Sequence, residues 1–206
     1  MIFKNIFRII RSYRFSLIKI IFFEFIYLIK GYKGNSFNFS PNDIMTDNIP
    51  CPYYFLYRIK RALKDIGFTT FIDLGCGSGR VINFFNSCYP KNKFIGIEYF
   101  EEQFLLCKKN LDKYKNIQLL NSDFRNVDVV RYNADCYFFN EPIKDDLIFT
   151  DYVKKIIDIN KQQRTLLIFV NCNKAILESI KDIQCVETYY INDRKGYSIY
   201  YASNKN

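Results

Sequence analysis

A glycine-rich segment lies where a predicted strand meets a predicted helix. Residues 73–80 read Asp-Leu-Gly-Cys-Gly-Ser-Gly-Arg and follow a short apolar stretch. Glycines at alternate positions, Gly75, Gly77 and Gly79, let the backbone turn tightly and bring its N–H groups close to a ligand. The same pattern also occurs as a strand-to-helix turn that binds nothing, so a second feature has to decide between the two.

The second feature is an acidic residue at the end of the next predicted strand. Glu98 follows Gly79 by 19 residues. At that position a carboxylate can accept hydrogen bonds from both hydroxyls of a ribose. The spacing and the strand-end position together favour a nucleoside cofactor.

The details of the loop discriminate between cofactors. The dinucleotide fingerprint is G-x-G-x-x-G, whereas this loop is G-x-G-x-G with Arg80 in place of the third dinucleotide glycine. No G-K-[ST] follows the glycines, which excludes a P-loop. Asp73, directly before the first glycine, suits a ligand with a positive charge or an ammonium group better than a pyrophosphate. An NAD-dependent oxidoreductase is therefore a disfavoured alternative.

The composition excludes several kinds of chemistry. The 206 residues include 30 Lys and Arg, 21 Asp and Glu, and no His. Without His there is no Ser-His or Cys-His nucleophile and no His-ligated zinc. The seven Cys are scattered and contain no C-x-x-C pair. They indicate reduced thiols in a cytoplasmic protein, with neither a disulfide framework nor a structural metal.

Strand-like and helix-like segments alternate from residue 53 onward. The predicted strands are 69–74, 93–98, 117–120, 134–139 and 164–170. The predicted helices are 53–66, 80–89, 101–114, 145–160 and 174–182. The chain then ends in two strands, 185–191 and 196–202, joined by a hairpin turn. This order predicts an α/β, Rossmann-like sheet of seven strands, mostly parallel with a C-terminal antiparallel hairpin and with helices on both faces.

The positive charge is concentrated before this pattern begins. Residues 1–66 carry 11 Lys and Arg against 4 Asp and Glu, whereas residues 67–206 carry 19 against 17. We divide the chain into a basic amphipathic N-terminal arm with a turn-rich linker, 1–52, and a cofactor-binding domain, 53–206.

The N-terminal arm has the spacing of a basic amphipathic helix. Its polar stripe contains Lys4, Arg8, Arg11, Ser12 and Lys19. The apolar part, residues 15–29, is interrupted by two charges and is shorter than the ~20 residues that a membrane span needs. Two interpretations remain open, a helix packed on the domain and a helix that lies on an anionic membrane surface through residues 1–30. Nucleic-acid binding is a third and less favoured one, because no recognisable module supports it.

From residue 53 to residue 202 the chain resembles the class I S-adenosylmethionine (SAM)-dependent methyltransferases, in particular small bacterial ones. Residues 73–79 match the first motif of that family, which includes Asp73, Gly75, Cys76, Gly77 and Gly79. Glu98 matches its ribose-binding acid. The resemblance implies that Asp123, after the third strand, contacts the adenine amino group.

Two aromatic residues next to these acids belong to the same implied cofactor site. Tyr99 would pack beside the adenosine. Phe124 would cover the adenine face, or it belongs to the core.

The segment after the fourth strand is where this family often has its catalytic motif. Here it reads Asn140-Glu141-Pro142-Ile143, with Glu141 in place of the first Pro of Asn-Pro-Pro-aromatic and Ile143 in place of the aromatic residue. The resemblance implies that Asn140, Glu141 and Pro142 serve the methyl acceptor. Glu141 is either a general base for an amine or hydroxyl or a solvated strand-end residue.

The resulting prediction is a SAM-dependent methyltransferase with an unidentified amine or hydroxyl acceptor. The unusual Asn-Glu-Pro-Ile segment motivates an alternative, a SAM-fold protein that has lost catalysis and acts as a binding module.

Overall fold

The computed structural model describes residues 16–31 and 49–202. Within these ranges seven strands form one sheet. Their bounds are β1 Thr70–Leu74, β2 Lys93–Glu98, β3 Ile117–Asn121, β4 Cys136–Asn140, β5 Thr165–Val170, β6 Ile183–Tyr190 and β7 Gly196–Ala202.

The strands lie side by side in the order β3-β2-β1-β4-β5-β7-β6. β1 to β5 are parallel, and β7 is antiparallel to both β5 and β6. The predicted mostly parallel sheet with a C-terminal antiparallel hairpin is confirmed. Because the chain reverses direction from β1–β2–β3 to β4–β5 at the centre of the sheet, the loops after β1 and β4 lie side by side, where ligands bind in such folds.

Six α-helices accompany these strands in the described ranges. Their bounds are α1 Ser16–Ile29, α2 Tyr53–Ala62, α3 Arg80–Cys88, α4 Glu101–Leu111, α5 Asp146–Ile159 and α6 Lys174–Ser179. Several helices end a few residues earlier than their apolar spacing predicts. At the end of α2 the bonds of Lys64 N–H to Arg61 and of Ile66 N–H to Leu63 are of the tighter i to i−3 type, so the helix closes before residue 66.

Helices cover both faces of the sheet because neighbouring strand residues point to opposite sides. In β1, Phe71 belongs to a core shared with α2, α3 and α4. The next residue, Ile72, belongs to a second core shared with α5 and α6. The alternation thus places the central strands between two apolar layers. For this reason nearly every residue of β1, β2, β4 and β5 is buried.

The helix α1 packs on the outside of α2 and α3. Tyr27 stacks on Tyr53 with ring centroids 4.5 Å apart, and Phe23 lies 4.9 Å from the ring of Tyr57. Glu24 Oε1 accepts hydrogen bonds from the Tyr53 N–H and from Arg80, each at 2.9 Å. The predicted helix therefore contacts the domain through one of its faces.

The first part of the predicted basic stripe, Lys4 to Ser12, lies outside the described residues, as does most of the linker. The division of the chain at residue 52 stays a prediction. Along the described parts of the chain, every helix is too short or too polar to cross a lipid bilayer.

Candidate cofactor and acceptor site

The glycine loop curls over the end of β2. The N–H groups of Gly75 and Cys76 both donate to the carbonyl of Ile97, at 2.9 and 3.0 Å. Gly75, Gly77 and Gly79 have φ angles of 87°, 53° and 89°. This left-handed conformation strains any residue with a Cβ, which explains why the sequence has glycine at all three positions.

Glu98 holds this loop from the neighbouring strand. Its Oε2 accepts from the Gly77 N–H at 2.7 Å, and its Oε1 accepts from the Phe100 N–H at 2.9 Å. The residue is only 5% exposed. Burial raises the pKa of Glu98, although the backbone hydrogen bonds oppose that rise. Each carboxylate oxygen retains acceptor capacity for a further donor.

Asp73 is the most unusual group in the site. It is 1% exposed, and its Oδ2 has no hydrogen-bond partner among the described residues. Burial raises its pKa well above the ordinary range, and the charge of Glu98 adds to that rise. Since buried carboxylates are normally paired, an unpartnered oxygen next to a glycine loop indicates a place for an incoming donor or cation.

The rest of the loop is packed tightly between α4 and the segment after β4. A Cβ added to Gly79 would lie 2.7 Å from Leu111 Cδ1 and 2.8 Å from Cys107 Sγ. Cys76 is buried, with its Sγ 3.8 Å from that of Cys107. On the other side, a Cβ added to Gly75 would lie 3.4 Å from Pro142 Cβ. The structure thereby brings the glycine loop and the Asn140–Pro142 segment together.

Asn140 is oriented by two hydrogen bonds. Its Nδ2 donates to the Ile49 carbonyl at 2.9 Å, and its Oδ1 accepts from Asn171 Nδ2 at 3.0 Å. Asn171 directly follows β5 and is buried, and its own Oδ1 has no partner among the described residues. This edge of the sheet therefore contains a second buried acceptor without a partner among the described residues.

Glu141 has a backbone conformation that is rare for its residue type. Its φ is 42°, which costs energy for a residue other than glycine and is typical of functional sites. Its Oε1 accepts from Arg194 at 3.0 Å, and its Oε2 lies 3.8 Å from Lys195 Nζ. Arg194 also pairs with Asp146 at 2.9 Å. Both oxygens of Glu141 thus face cations from the β6–β7 turn.

Asp123 interacts mainly with its own neighbour. Its Oδ1 accepts from the N–H and the Nε of Arg125, at 2.9 and 3.0 Å. Burial alone would raise the pKa of Asp123, but the hydrogen bonds and the charge of Arg125 outweigh it and lower the pKa. Its contact with adenine stays a prediction.

The two aromatic residues of the predicted site lie in different surroundings. Phe124 is 2% exposed and packs edge-on against Tyr152 at 4.9 Å, so its ring belongs to the core. Tyr99 is 45% exposed and contacts Phe100. An exposed ring directly after Glu98 is accessible to a ligand, whereas the Phe124 ring is largely enclosed.

Sequence reasoning missed three residues at this site. Asn171 could have been found as an Asn that directly follows the predicted strand 164–170. The sequence pattern places Arg194 only in a hairpin turn, and it marks Arg80 only as the residue that replaces a glycine. No local pattern reveals their partners, Glu141 and Glu24, which are 53 and 56 residues away in the chain.

Comparisons with known proteins agree with this geometry. Residues 68–200 match the family model described as "Methyltransferase domain". The match covers more than half of the chain, so the chain belongs to the methyltransferase-domain family. The seven-stranded, mostly parallel sheet with its C-terminal antiparallel hairpin is the Rossmann-like fold of the class I methyltransferases. No curated protein sequence matches this chain.

Three solved structures illustrate how distant the relatives are. The tRNA (m1A58) methyltransferase TrmI of Aquifex aeolicus has a TM-score of 0.53 and 18% identity, over 73% of this chain and 69% of that one. A methyltransferase from Geobacter sulfurreducens has a TM-score of 0.51 and 14% identity, over 72% of this chain and 76% of that one. The cofactor-bound protein Rv0187 from MTB has a TM-score of 0.60 and 11% identity, over 77% of this chain and 84% of that one. Similarity at these identities shows the fold alone.

Proposed function

We propose that the protein binds SAM between the glycine loop and Glu98 and transfers its methyl group to an amine or hydroxyl acceptor beside Asn140. The observation that carries the proposal is the pair of buried carboxylates, Asp73 and Glu98, at the ends of adjacent central strands. SAM supplies a methyl group that is already activated on a sulfonium, so the protein needs no His.

The charges near the glycine loop favour a cationic nucleoside over a dinucleotide. Asp73 offers an unpartnered buried oxygen, which an ammonium group would satisfy. Arg80, the cation next to the loop, is already bound to Glu24. A pyrophosphate would therefore meet two buried carboxylates, one of them without a partner in the described residues, which disfavours NAD.

The roles of the acceptor residues follow from their contacts. Asn140 is held by Asn171 and by the Ile49 carbonyl, so its amide is oriented before any acceptor arrives. Pro142 lies against Gly75 and so fixes the distance between the loop and the acceptor segment. In this proposal Glu141, held by Arg194 and Lys195, positions the segment, and it acts as a base only where one of these cations moves away.

Calorimetry with S-adenosylhomocysteine (SAH) tests the cofactor site. We expect the wild type to bind SAH and not NAD. Asp73→Asn and Glu98→Gln should each weaken SAH binding by about tenfold or more, the size of one charge-assisted hydrogen bond. Asp151→Asn is the matched control, because its carboxylate lies exposed on α5. No SAH binding by the wild type, or equal affinity in all four proteins, would exclude this site.

Methyl transfer is tested separately from binding. Protein, nucleic-acid, lipid and small-molecule fractions of an extract are incubated with methyl-labelled SAM and the wild type or Asn140→Ala. We expect label in one fraction with the wild type and a loss of most of it with Asn140→Ala, while SAH binding is retained. The measurement also tests the alternative of a binding module. That alternative is favoured by the hydrogen bonds that Asn140 and Glu141 already make to other residues of the chain. Tight SAH binding without label in any fraction would support that alternative.

A further inference from the structure

The helix α1 has two faces of different character. The inner face contains Ile20, Phe23, Glu24 and Tyr27, which lie against the domain. The outer face is exposed and apolar; we call its six residues the outer stripe. They are 58% to 74% exposed and comprise Ile18, Ile21, Phe22, Phe25, Leu28 and Ile29. At 100° per residue they share an arc of about 120° on one side of the helix.

Comparison with α5 shows how unusual this face is. Both helices have 14 residues, and in each of them seven residues are exposed. In α5, four of the seven are charged: Asp151, Lys154, Lys155 and Asp158. In α1, six are apolar and the seventh is Lys19. A contiguous apolar face of this kind on a domain surface marks an interaction site.

In the described residues, the exposed charges on and directly after α1 are all positive. Residues 1–33 contain seven Lys and Arg and one acid, Glu24. Glu24 is turned inward, where it pairs with Arg80, whose side chain is 6% exposed. Lys19 and Lys30 are exposed near the two ends of the helix. Directly before α1, residues 1–15 include four cations and no acid.

From the apolar stripe and this charge we infer that α1 is a docking surface for an anionic lipid bilayer, lying in the interface with its outer stripe in the acyl region. Aromatic and branched side chains enter the acyl boundary while the surrounding cations meet the headgroups. With 14 residues, α1 lies along a bilayer and does not span it. A second copy of the chain fits less well, because it would bring two equally basic segments together.

Sedimentation of the full-length protein with vesicles tests the inference. The vesicles are phosphatidylcholine alone, or phosphatidylcholine with an equal part of phosphatidylglycerol. We expect the wild type to sediment with the anionic vesicles, and a Phe22→Ser/Phe25→Ser variant to bind about tenfold or more weakly. Leu105→Ser/Leu147→Ser is the matched control, since these leucines are also exposed but lie on other helices. It should bind as the wild type does.

A charge variant separates the two contributions. Lys19→Glu/Lys30→Glu should bind anionic vesicles severalfold more weakly than the wild type. The difference between the two proteins should shrink as the salt concentration rises, because salt screens the charges. Unchanged SAH affinity and circular dichroism show that each variant is folded. The inference is overturned when the wild type ignores anionic vesicles, or when the stripe and control variants bind alike. A dimer in sedimentation velocity that Phe22→Ser/Phe25→Ser dissociates, without vesicle binding, would assign the stripe to a second copy instead.

Discussion

At the scale of single residues, the candidate site contains two carboxylates that the fold has removed from water. Asp73 and Glu98 are 1% and 5% exposed, and burial raises the pKa of both. Glu98 is compensated by two backbone N–H groups, whereas Asp73 Oδ2 has no partner among the described residues. A buried carboxylate oxygen without a partner reduces stability, and a ligand that supplied the missing donor would offset that cost.

The first prediction concerns Asp73 and pH. A carboxyl whose folded-state pKa is raised contributes stability that is complete below the unfolded pKa of about 3.9 and is lost as pH rises through the folded pKa. The Asp73→Asn variant lacks this loss. Relative to the wild type, its free energy of unfolding should therefore increase between pH 4 and pH 8, by about 1–3 kcal/mol. Urea unfolding followed by circular dichroism measures it.

The control for this prediction is Asp151→Asn, which removes an exposed carboxylate. Its stability relative to the wild type should show little change over the same pH range. A relative stability of Asp73→Asn that falls as pH rises would mean that folding lowers the pKa of Asp73, contrary to the prediction.

At the scale of elements, an ion pair joins α1 to the domain in addition to its aromatic contacts. Glu24 contacts both Arg80 and the Tyr53 N–H, so it joins α1 to the starts of α2 and α3. The Arg80 side chain is 6% exposed and that of Glu24 is 34% exposed. Arg80 also lies 4.4 Å from the centre of the Tyr53 ring.

The second prediction is that Glu24→Gln destabilises the protein by about 2 kcal/mol, less than a fully buried pair because Glu24 is partly exposed. The loss arises since Arg80 stays buried with a weaker partner. Thermal and urea unfolding measure it. Glu178→Gln, which removes an exposed pair with Lys174, should cost less than about 0.5 kcal/mol. Equal effects of the two changes would show that Glu24 does not hold α1.

The third prediction concerns the β6–β7 hairpin. A Cβ added to Gly196 would lie 2.2 Å from the Tyr189 carbonyl oxygen and 2.7 Å from Tyr190 Cα, and both are backbone atoms. Gly196→Ala should therefore destabilise the protein by about 2 kcal/mol or more, since the strands must move apart. Gly67→Ala is the control, because a Cβ there meets nothing within 4 Å. Its unfolding midpoint in urea should stay near that of the wild type.

At the scale of the whole molecule, the sheet order brings the carboxyl ends of the central strands together. Gly77 contacts Glu98, Gly75 lies beside Pro142, and Asn140 contacts Asn171, so the candidate site combines residues from four strand ends. A ligand that binds only the folded arrangement stabilises all of it through mass action.

The fourth prediction is that SAH raises the free energy of unfolding by about 2.7 kcal/mol when its concentration is 100 times its dissociation constant. Thermal unfolding with and without SAH measures the shift. NAD at the same concentration should produce none, and the shift should be smaller in Glu98→Gln. A shift with NAD of equal size would favour the dinucleotide alternative.

Much of the fold follows from local pattern. The strands, the glycine loop and Glu98 could be predicted because they depend on the spacing of neighbouring residues along the chain. Helix ends were less accurate, as at α2, because a helix closes where tighter hydrogen bonds replace regular ones.

By itself, the sequence determined the mostly parallel sheet with its terminal hairpin, the glycine loop with an acidic residue at the end of the next strand, and the excess of positive charge before residue 67. Only the tertiary structure decided which polar groups are paired within the protein and which lack a partner among the described residues. The sheet order brings Asn171 to Asn140 and Arg194 to Glu141, and it leaves Asp73 Oδ2 without a partner in the described residues. Packing also turns Glu24 inward and six apolar side chains of α1 outward. Such pairings join residues that are distant in the chain, so no local spacing encodes them.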